Sequence, residues 1–213
     1  MSGEIRAAAS VIAAREGARG PEVLVIERSL KSRFLPGYVA FPGGATDDAD
    51  TKAAELWFGS TGEAPRACAV RELFEEVGLL LTAEGLGAGA ARSLDLVAAD
   101  PPSADQLPEI ARWIAPEDVP VRFDARYYAV ASSADVEPTP DGHEASLAWW
   151  VSPASLLEEW EGERRKLFWP TYLTLRALAA CGSVDELVRL RIETREPDDD
   201  ELEWLHRSTF YQD

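Results

Sequence analysis

Residues 65–77, PRACAVRELFEEV, constrain this chain more than any other stretch. Pro65 suits the first turn of a helix, where its missing N–H costs nothing. Gly78 suits a left-handed cap just past the last turn. Between them Ala67, Val70, Leu73, Phe74 and Val77 recur at helical spacing and make one apolar face. Glu72, Glu75 and Glu76 crowd a single turn of the same helix and point away from that face. Like charges at such spacing repel and cost stability. One resolution is a solvated face on which Arg71 pairs with Glu75 at i,i+4. The other is a hard divalent cation gathered by the three carboxylates, since Mg²⁺ takes oxygen ligands and spacings of three and four share a side.

The remaining segments place this helix in a layered fold. Residues 5–14 and 22–28 read as two strands joined by the Gly-rich turn REGARGP, a hairpin. A loop then leads to the Gly43-Gly44 pair. An acidic stretch follows, with a short helix expected near residues 51–58. LLLT, residues 79–82, reads as a strand. Residues 101–117 read as loop and short helix, and residues 121–132 and 145–151 as strands. Ser152 and Pro153 open a further helix, and two more helices fill residues 168–191. Strands and helices interleave, so the class is α/β or α+β, with a mixed sheet between helices. A single domain over residues 1–191 is expected, with an acidic tail over 192–213 in which ELEWL alone is apolar enough to dock. Trp149 and Trp150 are adjacent on one strand and point to opposite faces. The same holds for Tyr127 and Tyr128; one ring of each pair could stack on an adenine, but a core role suits all four better.

The net charge of −17 argues against nucleic acid or an anionic membrane surface as partner, though a bound cation can reverse the field locally for a small anionic substrate. No run of about 18 apolar residues is present, and the N-terminus lacks a signal-peptide layout. Cys68 and Cys181, far apart, read as two reduced thiols, and two histidines cannot make a His-rich zinc centre. A cytoplasmic protein is expected.

With Glu63 upstream, the helix resembles the signature of the Nudix hydrolases: Glu63, Arg71, Glu72, Leu73, Glu75, Glu76, Gly78 and Leu79 stand at matching positions. The resemblance implies the Nudix fold, an α/β/α sandwich, here with extra C-terminal helices. It makes Glu72, Glu75 and Glu76 the ligands of Mg²⁺ or Mn²⁺, with the carbonyl of Gly43 as a further ligand. Glu63 and Arg71 become a structural ion pair, and Gly44 and Gly78 structural positions of the motif. Glu144, in the loop DGHE, becomes the acid recruited from a later loop. Glu72, Glu76 and Glu144 are then the catalytic carboxylates, with the general base open between Glu72, Glu144 and another neighbour of a metal-bound water. One departure stands out. The family has six positions from its first Gly to its first Glu, but position 57 here is Trp and the nearest suitable glycine is Gly44. About a dozen extra residues therefore fall inside the box, expected as a surface excursion over residues 45–61.

Upstream, ERSLKSRFLPGYVAFPGG resembles the motif of coenzyme A diphosphatases, through Arg28, Ser29, Arg33, Gly37, Phe41, Pro42, Gly43 and Gly44. The inserted box looks more like the peroxisomal branch of that group, although the ending YQD carries no peroxisomal signal. The resemblance implies a small-molecule diphosphate substrate, coenzyme A or acyl-CoA, cut to 3′,5′-ADP and a phosphopantetheine. Arg28, Lys31 and Arg33 would meet its phosphates, Arg doing so bidentately. The rival readings are a Nudix pyrophosphatase for ADP-ribose, a nucleotide sugar or a dinucleotide, and a non-catalytic nucleotide-binding module. At family level a homodimer is suggested.

Overall fold

The first strand, β1 (Ile5–Gly17), is the spine of the sheet, and its composition explains why. Its middle, Ala8 to Ala14, reads Ala-Ala-Ser-Val-Ile-Ala-Ala and is buried at every position except Ser10. Small side chains on both faces let layers close from either side, as a central strand requires. In the computed structural model, which describes residues 5–88, 94–115, 122–133 and 135–195, β1 pairs with three other strands. A hairpin joins it to β2 (Gly20–Arg28), as the turn chemistry predicts.

β1 and β2 pair only near their turn, over Ala14–Gly17 and Gly20–Val23. Beyond that they part, and β3 (Tyr38–Ala40) and β4 (Gly43–Ala45) bridge the gap. β3 pairs with β2 and β4 with β1. The Gly-Gly turn is thus set in the mouth of the opened hairpin. The inserted segment follows as α1 (Asp48–Phe58), then a 3₁₀ turn (Thr61–Glu63) and α2 (Ala64–Val77). Pro65 opens α2, and Gly78 closes it at φ 69°, its N–H donating to the carbonyls of Leu73 and Phe74.

A small hairpin of β5 (Leu79–Thr82) and β6 (Gly85–Ala88) follows, then α3 (Asp95–Ala99). Residues 109–114 differ from the sequence expectation: they form β7 (Glu109–Ile114), an antiparallel strand and not a helix. Its register slips between Glu109 and Ala111, and that irregularity breaks the alternation that would have marked a strand. β8 (Arg122–Ala131) lies parallel to β1, and β9 (Ala145–Val151) antiparallel to β2. α4 (Pro153–Glu161), β10 (Lys166–Leu167), α5 (Trp169–Leu178) and α6 (Val184–Val188) complete the order. The mixed sheet runs β10-β3-β2-β1-β8-β7, with β4 beside β1 and β9 beside β2.

The sheet separates two cores. One face packs Val11, Leu24, Ile26 and Tyr128 against Val70, Leu73 and Val77 of α2. The other packs Ile12, Val23, Val25 and Tyr127 against Leu156, Leu175 and Leu187 of α4, α5 and α6. This is the expected sandwich. Tyr127 and Tyr128 divide between the faces, as do Trp149 and Trp150, which carry the guanidinium groups of Arg165 and Arg15 over their rings. Of the acidic tail, Ile192 hydrogen-bonds Ile110 through its backbone, while ELEWL lies outside the described residues. Among the described residues no helix is long and apolar enough to cross a membrane.

Candidate active site

α2 carries three glutamates in its C-terminal half, where the helix dipole is least hospitable to negative charge. The sequence places all three on an outward patch. The structure instead buries Glu72 and Glu76, at 6% and 1% exposure, and leaves only Glu75 open. Glu72 and Glu76 are four residues apart and share a side. Glu75 lies about 100° round the helix from Glu76. Glu144 arrives from the loop before β9, and carboxylate oxygens of Glu72, Glu76 and Glu144 all lie within 4.8 Å of one another. Glu75 is not part of that group; it accepts a hydrogen bond from Arg71 Nη1 at 2.8 Å.

Both glycines of the turn are required by close approach. A Cβ on Gly43 would run into the backbone of Ala9 and Ser10, and one on Gly44 into the Glu72 carboxylate. Gly43, expected to offer its carbonyl, reaches the cluster through its N–H, which donates to Glu76 Oε2 at 2.8 Å. The other oxygen, Glu76 Oε1, is buried without a hydrogen-bond partner. A buried carboxylate oxygen left bare costs free energy unless a cation sits against it. Three convergent carboxylates, one with an orphaned oxygen, are a donor set suited to a hard divalent ion. We expect Gly44→Ala to displace Glu72 and weaken Mn²⁺ binding about tenfold or more, the scale on which support of a metal ligand matters. A Mn²⁺ titration checks this, and an unchanged affinity would remove Glu72 from the ligand set.

Arg71 behaves differently from the expectation. Glu63 does not reach it; Glu63 pairs with Arg66, one turn along α2. Arg71 instead holds Asp50 of the inserted α1, Nε to Oδ1 at 2.8 Å and Nη2 to Oδ2 at 3.0 Å. The same guanidinium lies 2.8 Å from Glu72 Oε1. Asp50 is 1% exposed, and its bonds are the first cause of the raised Arg71 pKa. The insert lies at the surface but is more than an excursion, because it buries Asp50 and Ala54 against α2. α1 packs Ala54 against Ala64 and Ala67 of α2, and Asp47 caps it while Asp50 bonds back to the Asp47 N–H. The signal was present in the spacing: Asp50 stands six residues after Gly44, where the family pattern places its first acid, so the extra residues follow that acid and do not precede it.

The upstream basic residues divide. Arg28 is half-buried, donates from Nε to the Phe34 carbonyl at 3.1 Å, and lies near enough to Glu76 to favour its charge. Lys31 and Arg33 are exposed on the loop that follows. That loop adjoins the Glu144 loop, since the Ser29 N–H donates to the Glu144 carbonyl at 2.8 Å. Cys68, behind Gly44, is buried and free, and burial holds its thiol pKa up; Cys181 is free as well.

Burial pushes the Glu72 carboxyl up to about 7, against the pull of Arg71. Burial, together with the Glu72 charge, pushes Glu76 up to about 8. Each carboxyl therefore binds its proton more tightly in the folded than in the unfolded protein. The stability this gives is complete below the ordinary value of 4.5 and drains away as pH rises through 7 and 8. We expect the metal-free protein to melt at lower temperature as pH goes from about 5 to about 8. Mg²⁺ held by this donor set would restore most at the upper end, because a cation there needs the ionised carboxylates of the folded state. Melts with a chelator and with Mg²⁺ test this, and a Glu76→Gln variant should show the flatter profile.

A NUDIX domain profile matches residues 4–169, and the chain belongs to the Nudix hydrolase family. It is 32% identical over 170 residues to a Caenorhabditis elegans protein bearing the nudix hydrolase name, covering 72% of this chain and 54% of that protein, so it spans about half that relative's length. It is 26% identical over 266 aligned positions to the acyl-coenzyme A diphosphatase NUDT19 of Gallus gallus, covering 85% of this chain and 70% of the other. Among solved structures, a NUDIX hydrolase from Alicyclobacillus acidocaldarius superposes with a TM-score of 0.75 at 30% identity, covering 90% of this chain and 99% of that one.

Proposed function

We propose that this protein is a divalent-metal-dependent pyrophosphohydrolase that cuts the diphosphate of coenzyme A or an acyl-CoA. The observation that carries the reaction class is the convergence of Glu72, Glu76 and Glu144, with one oxygen of Glu76 buried and unpartnered. These three residues would hold Mg²⁺ or Mn²⁺, which when bound neutralises a diphosphate and acidifies a coordinated water. Glu72 and Glu76, buried and fixed by Arg71 and the Gly43 N–H, hold position. Glu144, the exposed member, takes the proton of the water that attacks phosphorus as the bond to the leaving phosphate breaks. Arg28, beside the cluster, orients a phosphate, and Lys31 and Arg33 offer charge to a further phosphate of the substrate. The upstream motif and the likeness to a Gallus gallus acyl-coenzyme A diphosphatase support the CoA reading. The two free cysteines fit a cytoplasmic setting. A homodimer, suggested at family level, is read by sedimentation of the same protein.

The test is a panel of coenzyme A, acetyl-CoA, ADP-ribose, NADH and a nucleotide sugar with Mg²⁺ or Mn²⁺, with products identified by mass. The expected result is 3′,5′-ADP from the CoA substrates. Cleavage of another diphosphate instead would overturn the CoA reading and keep the reaction class. Nucleotide binding without cleavage would favour a non-catalytic module.

A further inference from the structure

Glu144 lies on a loop far in sequence from α2, yet it reaches the two buried glutamates of that helix. The last carbonyls of a helix lack intrahelical donors. In α2 two of them are satisfied by the Glu144 loop: the Asp141 N–H donates to the Glu76 carbonyl at 3.0 Å, and the Thr139 N–H to the Val77 carbonyl at 2.8 Å. The Asp141 carboxylate then turns the chain. Its oxygens both lie 3.1 Å from the Glu144 N–H, and Oδ1 accepts the Ala145 N–H at 2.8 Å. Gly142, at φ 75°, closes the turn by donating to the Ala145 carbonyl at 3.0 Å. Asp141 therefore bonds Glu76 with its backbone and Glu144 with its side chain, while staying outside the cluster of converging carboxylates.

We infer that Asp141 is a positioning residue that fixes Glu144 against Glu76 and so completes the cation site. The inference rests on the reading of Glu144 as a member of that site. Without the Asp141 carboxylate, two N–H groups at the turn lose their acceptor and the Glu144 backbone is held chiefly by the Ser29 N–H on its other side. Glu144 then samples orientations that point its carboxylate away from Glu72 and Glu76.

The test reads Mn²⁺ affinity of the full chain by electron paramagnetic resonance of the free ion, with no substrate present. The proteins are the parent, Asp141→Ala, Asp141→Asn, Glu144→Gln and the Asp141→Ala/Glu144→Gln double variant. Asp141→Ala should weaken Mn²⁺ about 10- to 100-fold, as loss of a group orienting a ligand does. Asp141→Asn keeps an acceptor oxygen and should recover most of the affinity. In the Glu144→Gln background the Asp141→Ala change should have almost no further effect, because it acts through a ligand already lost. An Asp141→Ala protein that binds as the parent does overturns the inference. So does an equal loss in both backgrounds, which would assign Asp141 to general loop folding. If Asp141→Ala does not fold, Asp141→Asn carries the comparison: a large loss there overturns the inference. A Glu144→Gln protein with unchanged affinity overturns the Glu144 reading itself, and the inference with it.

Discussion

A Glu76→Gln variant is expected to remain folded and to lose at least about 100-fold in turnover, since removing a ligand costs more than removing a group that only orients one. That is about 2.7 kcal/mol or more of transition-state stabilisation. The amide keeps an oxygen that can accept from the Gly43 N–H, so the turn in the mouth of the hairpin is preserved. What is lost is the charge on the buried carboxylate whose Oε1 has no partner. The metal-free variant should also be at least as stable as the parent at neutral pH, because a neutral group replaces one that burial makes costly to ionise. Turnover on the substrate found in the panel, together with melts in chelator, checks both halves. A variant that keeps parental turnover would dismiss Glu76 from the chemistry.

The largest structural effect is expected at Asp50. Asp50→Ala removes the buried partner of Arg71 and leaves a guanidinium that is only 15% exposed with its first acceptor gone. Breaking such a pair from one side costs about 3 kcal/mol, at the lower end of the range because Glu72 and Glu75 still face Arg71. For a chain of this size that lowers the melting temperature by about 6–12 °C. Chemical denaturation gives the free energy directly. Glu63→Ala is the control: Glu63 is about a third exposed and Arg66 keeps the Leu107 carbonyl as acceptor, so its loss should cost about 1 kcal/mol or less. Equal effects at the two positions would contradict the assignment of Asp50 as the partner of Arg71.

Much of this was legible because it rests on periodicity and caps. Pro65, Gly78 and the apolar face specify α2, and the Gly-rich turn between two β-rich runs specifies the first hairpin. The box glutamates could be named from spacing. Their division could not, because it depends on which side of α2 meets β4, a tertiary fact. Glu144 was placed by resemblance, and the structure brings it to Glu72 and Glu76. Asp50 is hidden when the insertion is placed ahead of the first acid of the motif, but a six-residue count from Gly44 reaches it. β7 was lost to a local irregularity. Asp141 leaves no trace in a sequence, since an aspartate before glycine reads as any turn.

The parallel pairing of β1 with β8 matters for how the chain folds. Ile5 lies opposite Arg122 and Ala14 opposite Ala131, so partners in the centre of the sheet stand more than a hundred residues apart. Closing so long a loop is entropically costly before the contacts it brings can compensate. Folding is therefore expected to be slow, on the order of milliseconds to seconds, with β1 and its hairpin waiting for β8. During synthesis α2 leaves the ribosome with its glutamates in place long before the strand that completes the sheet and the loop that supplies Glu144. The three converging carboxylates come from both ends of that interval, so their convergence marks a finished fold.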